Sequence, residues 1–302
     1  MGRARQTFER RQLGLTLRRL RERAEHTQQA AADAIGRVRS RIVELEEGKG
    51  TLNQTDLKAL LNFYEVQPDT LKTVLALGVK ARRRQRNRPY IDQLPDSYLR
   101  FADLEASASE IRVFESGLVP GLLQSPEYMQ AVIREGDGIW WDQLEGEPDD
   151  RISFRQDRQT RTWDTSTSRV FHFVIAEEAL RSNVGGDPAV MRAQLRHILT
   201  LLTERDNLTI QVLPQNTPSN PVRGGGFSLF LFGDRALPVG VAHVVFGPEQ
   251  YFDDPVDTAA LDRAFTRLRD ELALDGTKSA IAIRSILEGL PDPRWSNAPG
   301  PR

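Results

Sequence analysis

Leu13, Leu17, Leu20 and Ala24 recur at the spacing of one helix face, with Arg18, Arg19 and Arg21 on the other, which predicts a first amphipathic helix. Thr27 is a good N-cap for a second helix, Gln28 to Ile35, whose small inner face is expected to be Ala31, Ala34 and Ile35. Gly36 can take the left-handed conformation that ends a helix, and a third helix follows at about Arg39 to Glu47, closed by Gly48. Ile42 and Leu45 face inward on it. Asn53 caps a fourth helix with Asp56 in the capping-box position and Leu57, Leu60, Leu61 and Tyr64 inside, and Pro68 to Leu77 reads as a short fifth. A tight glycine turn between the second and third of five short helices is the helix-turn-helix arrangement.

Beyond residue 90 the pattern alternates. Apolar runs of strand length fall at 111–115, 169–175, 208–213, 227–232 and 241–246, and helical periods at 126–135, 149–162, 187–205, 255–272 and 277–290. A second domain with a sheet follows, α+β or α/β, and α+β is the expected class.

Charge separates the same two regions. Residues 1–90 hold 20 Lys and Arg against 10 Asp and Glu, a net +10, whereas residues 91–302 hold 21 against 32, a net −11. A basic module of this kind suits a polyanion. No apolar run reaches the length of a membrane span, and the arginine-rich start does not read as a secretory signal, so no membrane association is expected. With no cysteine there is neither a disulfide framework nor a thiolate metal site, and a reducing cytoplasm is the expected compartment.

Arg18 to Arg23, Thr27-Gln28-Gln29-Ala30, Ile35-Gly36 and Arg39 to Gly48 together resemble the Xre-type family of bacterial and phage repressors. The resemblance implies an all-α, lambda-repressor-like fold for the N-terminal domain, with the third helix lying in the major groove of double-stranded DNA. Three positions depart from the family pattern: Glu25 and Glu65 stand where it usually has Gly, and Val38 replaces the usual Ser or Thr cap of the recognition helix. By position, Arg39, Ser40 and Glu44 are the base readers. Arg39 suits the two acceptors of guanine. Glu44 either accepts from the amino group of cytosine or is a surface acid that tunes affinity. Gln28 resembles the family glutamine that binds phosphate at a helix N-terminus and braces the recognition helix, with Arg41 and Lys49 as further phosphate contacts. The resemblance also implies an ion pair between Arg21 and Glu46 behind the recognition helix. The run Lys80 to Pro89 reads as a helix extension, a basic linker or a segment tracking the DNA backbone, and Arg3, Arg5, Arg10 and Arg11 form a basic arm.

In the second domain, Asp103 to Ala106, Arg112 to Glu115, Leu118 to Tyr128, Asn183 to Gly186, Leu208 to Pro214 and Asp262 to Arg269 resemble the C-terminal domain of unknown function that follows Xre modules in actinobacterial regulators. That resemblance implies a regulator working beside a small partner protein. Pro120-Gly121-Leu122-Leu123 and Trp140-Trp141 are the expected apolar surface for it, and a pocket for a small-molecule effector is the alternative. No enzyme is expected. The four histidines, His26, His172, His197 and His243, include no pair at the i, i+4 spacing of a helical zinc site, and no nucleophile elbow or P-loop is present. No catalytic residue, metal or cofactor is therefore assigned. Arg223-Gly224-Gly225-Gly226 reads as a hinge. The expected organisation is a helix-turn-helix domain over 1–79, a basic linker over 80–97, an α+β regulatory or partner-binding domain over 98–290 and a disordered tail over 291–302. A homodimer on an inverted repeat would double the base contacts of one small module.

Overall fold

Thr7 accepts a hydrogen bond from the Arg10 backbone amide and so starts α1 (Phe8–Arg23). The same device, through Thr27 and Asn53, starts α2 (Gln28–Ala34) and α4 (Gln54–Phe63); α3 (Arg39–Glu46) and α5 (Pro68–Arg82) complete the set. The computed structural model describes residues 7–82, 90–137, 139, 148–164, 168–244 and 249–291. The basic stretch 83–89, Arg3 and Arg5, Trp140 and Trp141, and the tail 292–302 lie outside the described residues.

Two compact units are present: Met1–Ala108 with Phe230–Val241 and Pro248–Thr258, and Ser109–Leu229 with Ala242–Gly247 and Ala259–Arg302. The first has a core of Leu13, Leu17, Leu20, Ile42, Leu45, Leu57, Leu60, Leu61, Val74 and Leu77, one stripe from each of four helices. On α2 the buried pair is Ala31 and Ala32, and Ala34 is exposed, which corrects the expected inner face. Alanines stand at four of the seven positions of α2, so the sequence does not mark which face turns inward. The fifth helix runs past Leu77 to Arg82, because Gly78 sits against the Leu57 side chain and Ala81 continues the buried stripe.

This first unit also holds β1 (Tyr90–Ile91), α6 (Ser97–Ser107) and β7 (Gln250–Phe252), none of which the periodicity marks. β1 and β7 pair antiparallel beside an aromatic group of Phe8, Tyr90 and Tyr251. Two ion pairs fasten the segment: Arg100 to Asp92 through two bonds of 2.6 and 2.8 Å, fully buried, and Arg19 of α1 to Asp103 of α6 at 2.8 Å. Arg11 of α1 stacks over the Phe232 ring.

In the second unit, β2 (Glu110–Glu115), β3 (Val170–Ala176) and β4 (Leu208–Leu213) are parallel neighbours, with Phe114 opposite Val174 and Ile175 opposite Val212. Parallel strands need crossovers, here α7 (Pro126–Gly136) and α8 (Pro148–Thr162), then α9 (Glu177–Arg181) and α10 (Pro188–Glu204). β5 (Gly226–Leu231) lies on the other side of β2 and β6 (Val239–His243) next to it, so these strands are ordered β6-β5-β2-β3-β4. α11 (Pro255–Arg267) passes into a π-helical turn at Leu268–Leu272, and α12 (Gly276–Glu288) follows. Phe265 and Leu268 close over Phe114, Val174, Leu213 and Phe227 as the core of one sheet face.

Candidate nucleic-acid interface

Gly36, at φ 61°, turns the chain between α2 and α3 and completes the helix-turn-helix. Ile42, Leu45 and Glu46 turn α3 inward, which leaves Arg39, Ser40, Glu44 and Glu47 exposed along its other side. The crossing with α1 is close. A Cβ at Gly14 would lie 2.7 Å from the carbonyl oxygen of Glu46 and nearer still to that of Leu45, so only glycine lets the two backbones approach this far.

Behind the exposed side, the buried carboxylate of Glu46, 4% exposed, accepts from three donors. Arg21 gives Nε to Oε1 at 2.6 Å and Nη2 to Oε2 at 3.1 Å, and Gln28 gives Nε2 to Oε2 at 2.9 Å. The remaining Arg21 nitrogen donates to the carbonyl of His26 at 2.8 Å. This fork satisfies a buried charge from both sides, and the hydrogen bond to Glu46 raises the pKa of Arg21 above its ordinary value. Burial raises Tyr64 in turn, with the Glu46 charge adding to it. Because Gln28 spends its amide nitrogen on an acceptor-only carboxylate, its oxygen faces out, where it accepts from Arg39 Nη2 at 3.2 Å. A single chain of hydrogen bonds thus runs from α1 to the first residue of α3.

The other residues singled out lie on the same surface. Arg41 donates to Glu44 at 3.1 Å and to the carbonyl of Thr51 at 2.6 Å, and its guanidinium lies over Gly50. Lys49 pairs with Glu47 at 2.6 Å, and Arg37 with Asp56 at 2.7 Å. Glu44 of α3, Glu47 at its C-cap and Asp56 of α4 therefore tether neighbouring cations. Ser40 is exposed beside them. Sequence reasoning missed Gly14, whose signal is a glycine inside an otherwise regular helical repeat.

All three departures from the family pattern have a local consequence. Glu25 and Glu65 hold φ of 57° and 54°, so both take the left-handed conformation without glycine's freedom. Val38 sits at the N-cap of α3 with no side-chain cap bond.

A family model for a helix-turn-helix domain matches residues 12–74, and a second, for a domain of unknown function termed DUF5753, matches residues 98–285. The chain belongs to the DUF5753 family. A comparison with curated proteins finds no match. The DUF5753 match takes in α6, which lies in the first unit, so the family boundary and the compact units divide the chain at different places.

Within the second unit of this DUF5753 protein, three strands share one imidazole. His243 at the end of β6 stands 3.0 Å from Ser228 Oγ on β5 through Nε2, and its Nδ1 is hydrogen-bonded to Glu115 at the end of β2. Gly226 makes room for Glu115, since a Cβ there would overlap the carboxylate. Hydroxyl, imidazole and carboxylate stand in the order of a hydrolase triad. Ser228 is mid-strand and only 3% exposed, and the cluster links the three strands by hydrogen bonds. The expected apolar surface at Pro120 to Leu123 is corrected: Leu122 and Leu123 are buried, and the side chains of Gln159 and Trp163 cover the carbonyls of Gly121 and Leu122. A tight helical turn at Gly121–Leu123 tucks both leucines inward.

Proposed function

We propose that this protein is a sequence-specific transcriptional regulator of the Xre type, bound to double-stranded DNA through α3. Arg39, Ser40 and Glu44 read base edges, Arg41 and Lys49 meet phosphates, and Gln28, whose outward oxygen can only accept, meets one through the second hydrogen of its amide nitrogen. The observation that carries this reading is the Arg21, Glu46, Gln28 and Arg39 chain, which fixes a base-reading side chain from a buried ion pair. Preorganisation of that kind has an evident use at a nucleic-acid surface. The +10 charge of residues 1–90 agrees with it. Removing Arg39 is expected to relax specificity at one base pair at about 1–3 kcal/mol, whereas Gln28→Ala weakens every site. Capture of bound fragments from the whole genome, followed by binding measurements on Arg39→Ala and Gln28→Ala, tests both. Equal base preference in wild type and Arg39→Ala would remove Arg39 from the readers.

The DUF5753 region is, in this reading, a non-catalytic domain of a cytoplasmic homodimer that binds a small partner protein. The DUF5753 match over residues 98–285, behind a helix-turn-helix match over 12–74, supports a regulatory role for this region. The burial of Ser228 supports a non-catalytic role, and a serine-reactive fluorophosphonate is expected to leave it unlabelled. Labelling of Ser228 that is lost in His243→Gln would make the domain an esterase-like enzyme instead.

A further inference from the structure

Around the start of α3 every residue from Gly36 to Ser40 is exposed, and among them stands one large apolar side chain, Val38, 69% exposed. At this position a serine or threonine would accept a backbone hydrogen bond and steady the helix, and Val38 makes no such bond. The segment is nevertheless held. Arg37 is tied to Asp56 at 2.7 Å, Arg39 to Gln28 at 3.2 Å, and the carbonyl of Val38 accepts from Arg41 N at 2.9 Å. A β-branched side chain on a fixed backbone has little rotamer freedom to lose, so its two methyl groups are presented ready for contact. The residue next to it is the reader Arg39, on the same exposed end of α3.

We propose that Val38 is a specificity-determining residue that packs against the C5-methyl group of a thymine in the major groove. Thymine is the one unmodified base that shows a methyl group there, so apolar contact at this point selects it without a hydrogen bond. The inference rests on the DNA-binding reading given above and adds to it a base and an atom.

The test uses the full-length protein and a pool of short duplexes with a randomised centre. The selected duplex is resynthesised with deoxyuridine replacing each thymine in turn, which deletes the methyl group and leaves base pairing intact. Wild type is expected to lose affinity about fourfold at one thymine position, the worth of one buried methyl-sized group. Val38→Ser, and separately Val38→Ala, bind the thymine and deoxyuridine forms of that position equally. Insensitivity of wild type to every replacement overturns the proposal and leaves DNA binding standing, as does a methyl effect that persists undiminished in both variants. Failure to select any duplex removes the DNA-binding reading and this inference with it.

Discussion

Glu46 is the residue on which the interface turns, since its carboxylate holds Arg21 of α1 and Gln28 of α2 while it belongs to α3. Its removal leaves a guanidinium buried and unpaired, a far larger penalty than loss of an exposed pair, whose worth is about 0–1 kcal/mol. Glu46→Ala is expected to lower stability by about 2–4 kcal/mol by chemical denaturation and to weaken DNA binding although Glu46 touches no base. An unchanged denaturation midpoint would make it one more surface acid. Glu25 and Glu65 carry the opposite expectation. Each holds a left-handed backbone that disfavours a side chain by about 1–2 kcal/mol, so Glu25→Gly and Glu65→Gly should each raise the thermal midpoint, less the entropy glycine adds to the unfolded chain. Val38→Ser should do the same through a new cap, by about 0.5–1 kcal/mol.

Among elements, the α1 and α3 crossing sets where the exposed side of α3 points. Gly14→Ala would press a methyl group onto two backbone carbonyls, which cannot rotate away, so α3 must shift. A destabilisation of about 1–3 kcal/mol is expected, with loss of DNA affinity beyond what the stability change explains; full affinity in a folded Gly14→Ala protein would show that the crossing does not set the angle. The five helices of this module were legible in the sequence because leucines at helical spacing coincide with Thr27, Asn53 and Gly36 at the ends. The inner face of α2 was not, because alanine marks neither side. α6 escaped for a different reason: it buries Arg100, Asp103 and Glu105 together with Ala102 and Leu104, so charged positions interrupt the apolar stripe that would mark its inner face. β1 and β7, at two and three residues, are too short to show a period. The Ser228, His243 and Glu115 cluster joins three strands far apart in sequence, and no local pattern announces such a contact. The exposed side of α3 was legible because it is the complement of Ile42 and Leu45.

At the scale of the whole molecule, stability should depend on pH through two histidines. Burial lowers the pKa of His172 and of His197 below the ordinary 6.5, so the folded protein disfavours their protonation while the unfolded chain accepts it. Their contribution is complete above about pH 6.5 and is lost as the pH falls below it. The thermal midpoint is expected to drop between pH 7 and 5 in wild type, and by less in the His172→Gln, His197→Gln double variant; equal drops would assign the effect to other groups. The basic module and the acidic remainder give the chain a net charge of only −1, so polyanion binding has to come from the local field of residues 1–90. The most direct test of that claim is the salt dependence of affinity for a genomic fragment the protein itself selects. Neutralising about six phosphates gives a log–log slope near −5, and charge-removing substitutions of Arg41 and Lys49 each reduce its magnitude by about 1. A slope near zero, or no fragment enriched at any salt concentration, would contradict the account.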